Sequence, residues 1–332
     1  MDALTRERYF PTKKSKPKGV KKQAINRIQL DVRPVEYSRF KQNISFSQYS
    51  LYKSCPRAWY LKYGKKLKRE DVPNMSFVFG TALHTVLQEY LKVSFDESGT
   101  KADEIDFGPR FRQELYDEFS KTVEKLGVFS SIEEVTDYYL DGVSILNYFR
   151  SHRREYFNLK NMILLGIELP LQESSEENPN VGFVGFIDII FYDTVEDAYY
   201  VFDIKTSTRG WKFQKKDPKK VNQVLFYKHF LAKQYGIDIN KIKPVFLILK
   251  RKLYEDSPYK QSRIQWFEPA SSARTVKKVI KEFDQFISEC YSDSGEIISN
   301  RDYPAIQGDR KFNCTYCPFA DNETLCPLKE RK

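Results

Sequence analysis

Residues 181–206 read VGFVGFIDIIFYDTVEDAYYVFDIKT, two runs of aromatic and β-branched residues joined by a short polar connection around DTVEDA. Each run has the composition of a strand, and each then places an acid on it. Side chains alternate along a strand, so Tyr199, Val201, Asp203 and Lys205 share one face while Tyr200, Phe202 and Ile204 share the other. In the first run Phe186, Asp188 and Ile190 form one face, and Gly185 admits close backbone contact. If the two runs pair as neighbours, Asp188 and Asp203 converge beside Lys205.

Outward from this pair, MILLGIELPL (162–171) is a third strand just upstream. DPKKVNQVLFYKHFLAKQYG (217–236) follows as a helix, capped by Asp217, begun by Pro218 and stopped by Gly236. IKPVFLILKRKL (242–253) is another strand, RIQWFEP (263–269) a shorter one, and SARTVKKVIKEFDQFISECY (272–291) a closing helix. Ahead of the strands the periodicity is helical. In SFSQYSLYKSCPRAWYLKY (45–63), Ser45 or Ser47 can cap a helix that Pro56 ends at Cys55 while opening the next. FVFGTALHTVLQEYLKV (77–93) places Leu83, Val86, Leu87, Tyr90 and Leu91 at helical spacing, and FRQELYDEFSKTVEKL and EEVTDYYLDGVSILNYFRSHRREYF continue the pattern. Helix, three consecutive strands, helix, strand predicts an α+β, mixed α/β order with a sheet flanked by helices.

The chain has 332 residues, 41% of them hydrophobic and 15% aromatic, which suits a globular protein with a substantial core. Its 55 basic and 45 acidic residues leave a net charge of +10, which favours a polyanionic partner. No run approaches the length of about 18 apolar residues that a membrane helix needs. The N-terminal stretch MDALTRERYFPTKKSKPKGVKK lacks the apolar core of a signal peptide, and Asp2 and Glu7 weigh against a transit peptide. A cytoplasmic protein without a membrane partner is expected, in a host cytoplasm if the source is a virus or phage. Residues 1–44 read as a basic, flexible arm with a short strand near INRIQLDVRP. Three of five cysteines crowd into CTYCPFADNETLC (314–326), which in a reducing compartment reads as a metal or cluster site before it reads as disulfides.

Two convergent carboxylates beside a lysine suit phosphodiester hydrolysis. Hard oxygen ligands hold Mg²⁺ at about 2.1 Å, and a lysine can orient a water or offset developing negative charge. Taken alone, D-x-K reads as a strand-end ion pair of little worth, and it is the surrounding residues that change this. Gln223 and Tyr227, four apart, share a helical face and can bond a phosphate or steer Lys205. His84 lies on an otherwise apolar helix, as a core histidine or a metal ligand. After the lysine, TSTRGWKFQKKDPKK offers Arg209, Lys212, Lys215, Lys216, Lys219 and Lys220 with Trp211 and Phe213 interleaved. That is the make-up of a single-strand binding channel, or of a solvated loop. Lys250, Arg251 and Lys252 form a weaker basic candidate.

In this order GTALH, GIELPL, GFID, DIKT and QVLFY resemble the motifs of the RecB-like branch of the PD-(D/E)XK nuclease superfamily, over roughly residues 45–330. The resemblance implies a restriction-endonuclease-like core sheet flanked by helices, with a helical N-terminal part and a C-terminal cysteine region. It implies that Asp188, Asp203, the Ile204 carbonyl and His84 hold Mg²⁺ or Mn²⁺, that Lys205 is the catalytic lysine, and that Gln223 and Tyr227 place the DNA. Glu168 matches an acidic position. Cys55 in SCPRAWYLKY, with Cys314, Cys317 and Cys326 as C-x2-C-x8-C, is similar to the iron-sulfur staple of AddB-type and CRISPR-adaptation nucleases and implies a 4Fe-4S cluster. Four thiolates suit Zn²⁺ as well, the last spacing is longer than that subgroup's, and Cys290 stands outside the pattern as a helix-face or core thiol.

The expected organisation is an arm over 1–44, a helical region over 45–160 carrying Cys55 and His84, a nuclease core over 161–270 and a C-terminal helix and cysteine segment over 271–332. The expected activity is that of a metal-dependent deoxyribonuclease, an exonuclease acting on single-stranded DNA or free DNA ends in repair or recombination. Recombination or replication proteins are the expected partners. The competing reading is a nucleic-acid-binding subunit of such a complex whose nuclease fold has become structural. An iron-sulfur redox protein is a third, and lacks any second cofactor motif.

Overall fold

A computed structural model describes residues 29–67, 73–308, 312–315 and 317–331. Most of the expected basic arm, residues 1–28, lies outside the described residues, and with it the start of INRIQLDVRP. Residues 29–34 form no strand. The first strand is instead β1, Gln42–Ile44.

Ser45 accepts a hydrogen bond from Gln48 N and so caps α1, Phe46–Ser54. Pro56 then opens α2, Pro56–Trp59, which runs into a π-turn at Tyr60–Gly64. Asn74 caps α3, Met75–Asp96, the longest helix described. A short helix, α4, Gly99–Asp103, leads to α5, Phe107–Leu126, and α6, Ile132–His152. Three strands follow: β2, Met162–Ser174, β3, Val181–Asp193, and β4, Ala198–Ser207. Asp217 accepts from Lys219 N at the start of α7, Pro218–Tyr235, and Gly236, at φ +65°, ends it in the left-handed conformation glycine favours. β5, Ile242–Lys250, β6, Ile264–Phe267, α8, Ala273–Cys290, and a last short helix, α9, Phe312–Thr315, complete the elements used below.

The strands form one six-stranded mixed sheet. β2 pairs antiparallel with β3 along nearly its whole length, Met162 opposite Asp193 and Ser174 opposite Gly182. The other edge of β3 is shared. β1 runs parallel to Val181, Gly182 and Phe183, and β4 runs antiparallel to the stretch from Ile189 to Asp193. β4 then leaves β3 and continues parallel to β5 as far as Ser207, opposite Lys250. Residues 184–188 of β3 therefore have no strand on that edge, and the sheet forks there.

Helices cover both faces. On one, Phe46 and Tyr49 of α1, Phe226 and Phe230 of α7 and Phe283 of α8 pack over Phe183, Val201, Phe246 and Ile248. On the other, Phe79 of α3, Phe111 of α5 and Phe149 of α6 pack over Phe191, Phe202, Ile204 and Leu247. Each fully buried side chain of this size contributes about 1.5–3 kcal/mol from apolar burial. α8 shows the pattern plainly: Val276, Ile280, Phe283 and Ile287 recur at helical spacing and are all buried. Cys290 closes the same stripe, and burial pushes its thiol up to about 12, as suits a core residue. Among the described residues no helix is long and apolar enough to cross a membrane.

The Arg251 and Lys252 pair, read from sequence as a possible nucleic-acid contact, is engaged elsewhere. The Arg251 guanidinium lies 3.3 Å from the centre of the Tyr138 ring and 3.0 Å from Asp141, and Lys252 Nζ lies 2.7 Å from Asp137. Both cations fasten the end of β5 to α6.

Asp284 of α8 is half-buried against Glu176, and its Oδ1 has no hydrogen-bond partner. Burial, reinforced by the Glu176 charge, pushes its carboxyl up to about 6. A carboxyl raised in the native state binds its proton more tightly folded than unfolded, so the contribution of this group to stability is fully present below about pH 4 and is lost as pH rises through about 6. Asp284→Asn removes that slope. Urea unfolding across pH 4–8 should show the variant more stable at neutral pH by about 1 kcal/mol, allowing for solvent screening at a half-exposed site, and no gain at pH 4.

Candidate active site

The fork sits at a broken pleat. Residues two apart in an unbroken strand share a face, yet Ile187 packs into the layer under α7 and Ile189 into the layer under α3. Asp188 lies between them. Across on β2, Glu168 holds φ +49°, a left-handed backbone that a non-glycine residue rarely adopts. Pairing of β3 with β4 stops at Ile189 and Phe202, one residue short of Asp188 and Asp203. In place of a further rung, the Asp188 carboxylate reaches across the opening and accepts a hydrogen bond from Ile204 N at 2.6 Å. The two acids expected to converge thus meet where the strands part.

Asp203 is fully buried. Lys205 Nζ lies 2.8 Å from its Oδ2, an ion pair. Apart from this ion pair, neither of the buried Asp203 oxygens has a hydrogen-bond partner. Burial raises the Asp203 carboxyl above the usual range, and the Lys205 charge works against that. Asp188 is raised well above its ordinary value by burial and then by the Asp203 charge, with Lys205 and the Ile204 N–H opposing. Burial lowers the Lys205 ammonium, but the attraction of Asp203 and Asp188 outweighs it and leaves its pKa raised. Lys205 is therefore a firm cation, about one third exposed to the cleft.

α3 supplies one wall. His84 Nδ1 lies 3.8 Å from Asp188 Oδ2. Burial first, and the Lys205 charge second, lower its pKa to about 4, so the ring is neutral at ordinary pH and this contact is not an ion pair. One helical turn on, Gln88 donates from Nε2 to Glu168 Oε1 at 2.6 Å and to the Asp188 carbonyl at 3.2 Å. α7 supplies the opposite wall. Gln223 donates to the Tyr227 hydroxyl at 2.8 Å, and that phenol is raised well above its ordinary pKa by burial and by the charges of Asp203, Asp188 and Glu168.

His84, Glu168, Asp188, Asp203, Ile204, Lys205, Gln223 and Tyr227 therefore gather at one fork. Gln88 escaped the sequence reading, although its spacing of four from His84 would have placed it on the same helix face. Among the described residues, no three His, Cys, Asp or Glu side chains already stand at metal-holding spacing. The donor set nonetheless fits a hard divalent cation: two carboxylates raised by burial and, at Asp188, by the Asp203 charge, a neutral imidazole, and buried Asp203 oxygens met by Lys205 alone. An unmatched buried carboxylate is costly, and a cation offsets that cost.

The segment after Lys205 is partly as expected. Arg209 stands over Tyr254 at 5.0 Å, Lys212 over Phe213 at 5.4 Å, Lys215 over Phe267 at 5.1 Å and Lys220 over Trp211 at 5.6 Å. Lys216 and Lys219 are exposed, and Phe213 is 78% exposed. Trp211 is not an open platform for bases. It is 7% exposed, packs on Phe246 at 4.9 Å, and its backbone N–H and carbonyl are both bonded by the Gln265 amide.

Cys55, Cys314, Cys317 and Cys326 line one cleft. None of the five cysteines is in a disulfide. Burial, with the other three thiols nearby, raises the Cys317 thiol. Ile306 N donates to Cys55 Sγ at 3.4 Å. Asn313 ties the cleft to its surroundings, donating to the Ser54 carbonyl at 2.7 Å and lying 3.4 Å from Lys219 Nζ. The four thiols share this cleft without standing at metal-holding spacing.

The family model of the PD-(D/E)XK nuclease superfamily matches residues 43–326. No curated protein matches the chain. Among solved structures the chain is similar to that of a candidate exonuclease from Eubacterium rectale, at 10% identity and a TM-score of 0.43, covering 74% of this chain and 78% of that one.

Gly185 lets the Tyr227 ring press against β3. A Cβ there would stand 3.0 Å from Phe183 and 3.1 Å from Tyr227 Cε1. Gly185→Ala should lower the unfolding free energy by about 1–3 kcal/mol through overpacking, measured by urea denaturation with the slope unchanged.

Proposed function

The chain belongs to the PD-(D/E)XK nuclease superfamily, and from that premise we propose that it is a divalent-cation-dependent deoxyribonuclease, acting as an exonuclease on single-stranded DNA or free DNA ends. The observation that carries the reading is the meeting of Asp188, Asp203 and Lys205 where β3 and β4 part.

Asp188, Asp203, His84 and the Ile204 carbonyl are the groups that would hold Mg²⁺ or Mn²⁺. When bound, such an ion polarises a phosphoryl oxygen and makes a bound water a better nucleophile at neutral pH. The remaining work falls to side chains. Lys205 stays protonated, so its role is to orient the attacking water and to offset negative charge as it develops on the phosphate, not to accept a proton. Tyr227, held by Gln223 and kept as a neutral phenol, offers a hydrogen bond to a phosphate oxygen at the mouth of the site. Arg209, Lys212, Lys215, Lys216, Lys219 and Lys220 supply the cations that track a phosphate backbone, and the exposed ring of Phe213 supplies the stacking face.

The four convergent thiols support a 4Fe-4S cluster that joins the early Cys55 to Cys314, Cys317 and Cys326, with Zn²⁺ as the competing occupant. Its part would be structural, holding the C-terminal segment against α1 and α2.

End-labelled linear and closed circular DNA, single- and double-stranded, digested with Mg²⁺ or Mn²⁺, test activity and the need for an end together. Linear single strands should be degraded and circles spared. Asp203→Ala and Lys205→Ala should each lower the rate at least about a hundredfold, and full activity in either variant would show that the site is wrongly assigned. DNA binding without cleavage would instead favour a structural subunit. Protein purified without oxygen should be coloured and carry about four iron atoms per chain, and Cys326→Ala should lose them. A colourless, iron-free protein with one zinc per chain would replace the cluster with zinc.

A further inference from the structure

We propose that Gln88 is a positioning residue that holds the Glu168 carboxylate beside Asp188, and so makes Glu168 part of the group that binds the catalytic cation. The inference rests on the nuclease reading above and adds a residue and a role to it.

Gln88 is 8% exposed on the apolar stripe of α3, flanked by the fully buried Leu87 and Tyr90. A buried primary amide is costly unless its hydrogens are bonded. The two hydrogens of Gln88 Nε2 go to two different strands, one to Glu168 Oε1 on β2 at 2.6 Å and one to the Asp188 carbonyl on β3 at 3.2 Å. A single amide thus spans the pair of residues that face each other across the broken pleat, between the rungs Ile167 with Ile189 and Leu169 with Ile187.

Glu168 needs such a hold. Its backbone is at φ +49°, a strained conformation for a non-glycine residue that persists only where the surroundings enforce it. Its side chain is exposed to the cleft, where an unconstrained glutamate would sample several rotamers. With Oε1 bonded to Gln88, the carboxylate stays close enough for its charge to act on Asp188. His84 sits one turn earlier on the same face of α3 and approaches Asp188 from that side. One helix face therefore delivers a candidate ligand and the clamp for another. Partners that orient metal ligands typically account for 10- to 100-fold in metal affinity.

Mn²⁺ binding to the full chain, measured by titration calorimetry without DNA, tests this. Gln88→Leu and Glu168→Gln should each weaken binding about tenfold or more, and the double variant should be no weaker than the worse single one, because both act through one interaction. Thermal midpoints in EDTA separate a clip that only fastens the helix to the sheet: such a clip lowers the midpoint of Gln88→Leu and leaves Mn²⁺ affinity unchanged, which overturns the proposal. Losses that multiply in the double variant overturn it too. Should Gln88→Leu not fold, an unchanged affinity in Glu168→Gln is sufficient to reject it. Asp203→Asn tests the underlying site separately. If that variant keeps the full Mn²⁺ affinity while Gln88→Leu loses it, the nuclease assignment fails and the Gln88 role stands. If the unaltered protein binds no Mn²⁺, both fall.

Discussion

Everything at the proposed site depends on one hydrogen bond that takes the place of a sheet rung. Ile204 N–H, which in a continued ladder would point at a β3 carbonyl, donates to the Asp188 carboxylate. The bond satisfies a backbone donor at the end of the β3–β4 pairing, and it aims the carboxylate into the gap between strands. Were β3 and β4 to stay paired, Asp188 and Asp203 would face each other on the next rung, with no room for a ligand between them. Because they part, β1 takes up the free edge of β3 at Val181–Phe183, and β4 finds its support from β5 over nine pairs. The fork is therefore stabilised by strands on either side of it.

The cost of the fork is electrostatic. Asp203 is fully buried, and Asp188 and Lys205 are largely so. Two buried acids and a lysine at the junction of two apolar layers oppose folding, since one lysine cannot match both acids. Aromatic packing on both faces offsets this. Phe226, Phe230 and Phe283 close over Phe183 on one face, while Phe157 and Trp266 pack on Phe202 on the other. Each layer also sends polar side chains to the fork, His84 and Gln88 from α3 and Gln223 and Tyr227 from α7. The site is thus held from two directions by helices that are themselves anchored in separate cores.

Local pattern carried much of this in the sequence. β3 and β4 were legible because aromatic and β-branched runs flank a short polar turn, and α7 because Asp217, Pro218 and Gly236 mark its ends. What pattern does not carry is long-range pairing. β1 is three residues, QNI, with no periodicity, and it exists because β3 has an empty edge. The broken pleat at Asp188 was invisible for a related reason: strict alternation places Asp188 with Phe186 and Ile190, and it takes the packing of Ile187 and Ile189 into opposite layers, with the positive φ of Glu168 across the ladder, to show where alternation fails. Trp211 was misread because its neighbours are basic. A run of lysines suggests exposure, whereas one tryptophan turned inward against Phe246 anchors the whole run. Gln88 was overlooked because an amide in an apolar helix looks incidental until both its hydrogens are accounted for.

One side chain joins the basic segment to the thiol cleft. Asn313, next to Cys314, bonds the carbonyls of Ser54 and Ile306 and reaches Lys219 at the first turn of α7. Ser54 precedes Cys55, so the same amide fastens the residues flanking two of the four thiols. The first turn of α7 in turn leads, by Gln223 and Tyr227, to the fork. A rigid occupant of the four thiols would therefore fix not only the C-terminal segment but the height at which α7, with its lysines, stands over the cleft. The hydrogen bonds of one amide thus connect the residues that flank two of the thiols to the first turn of the helix that carries Gln223 and Tyr227 to the fork.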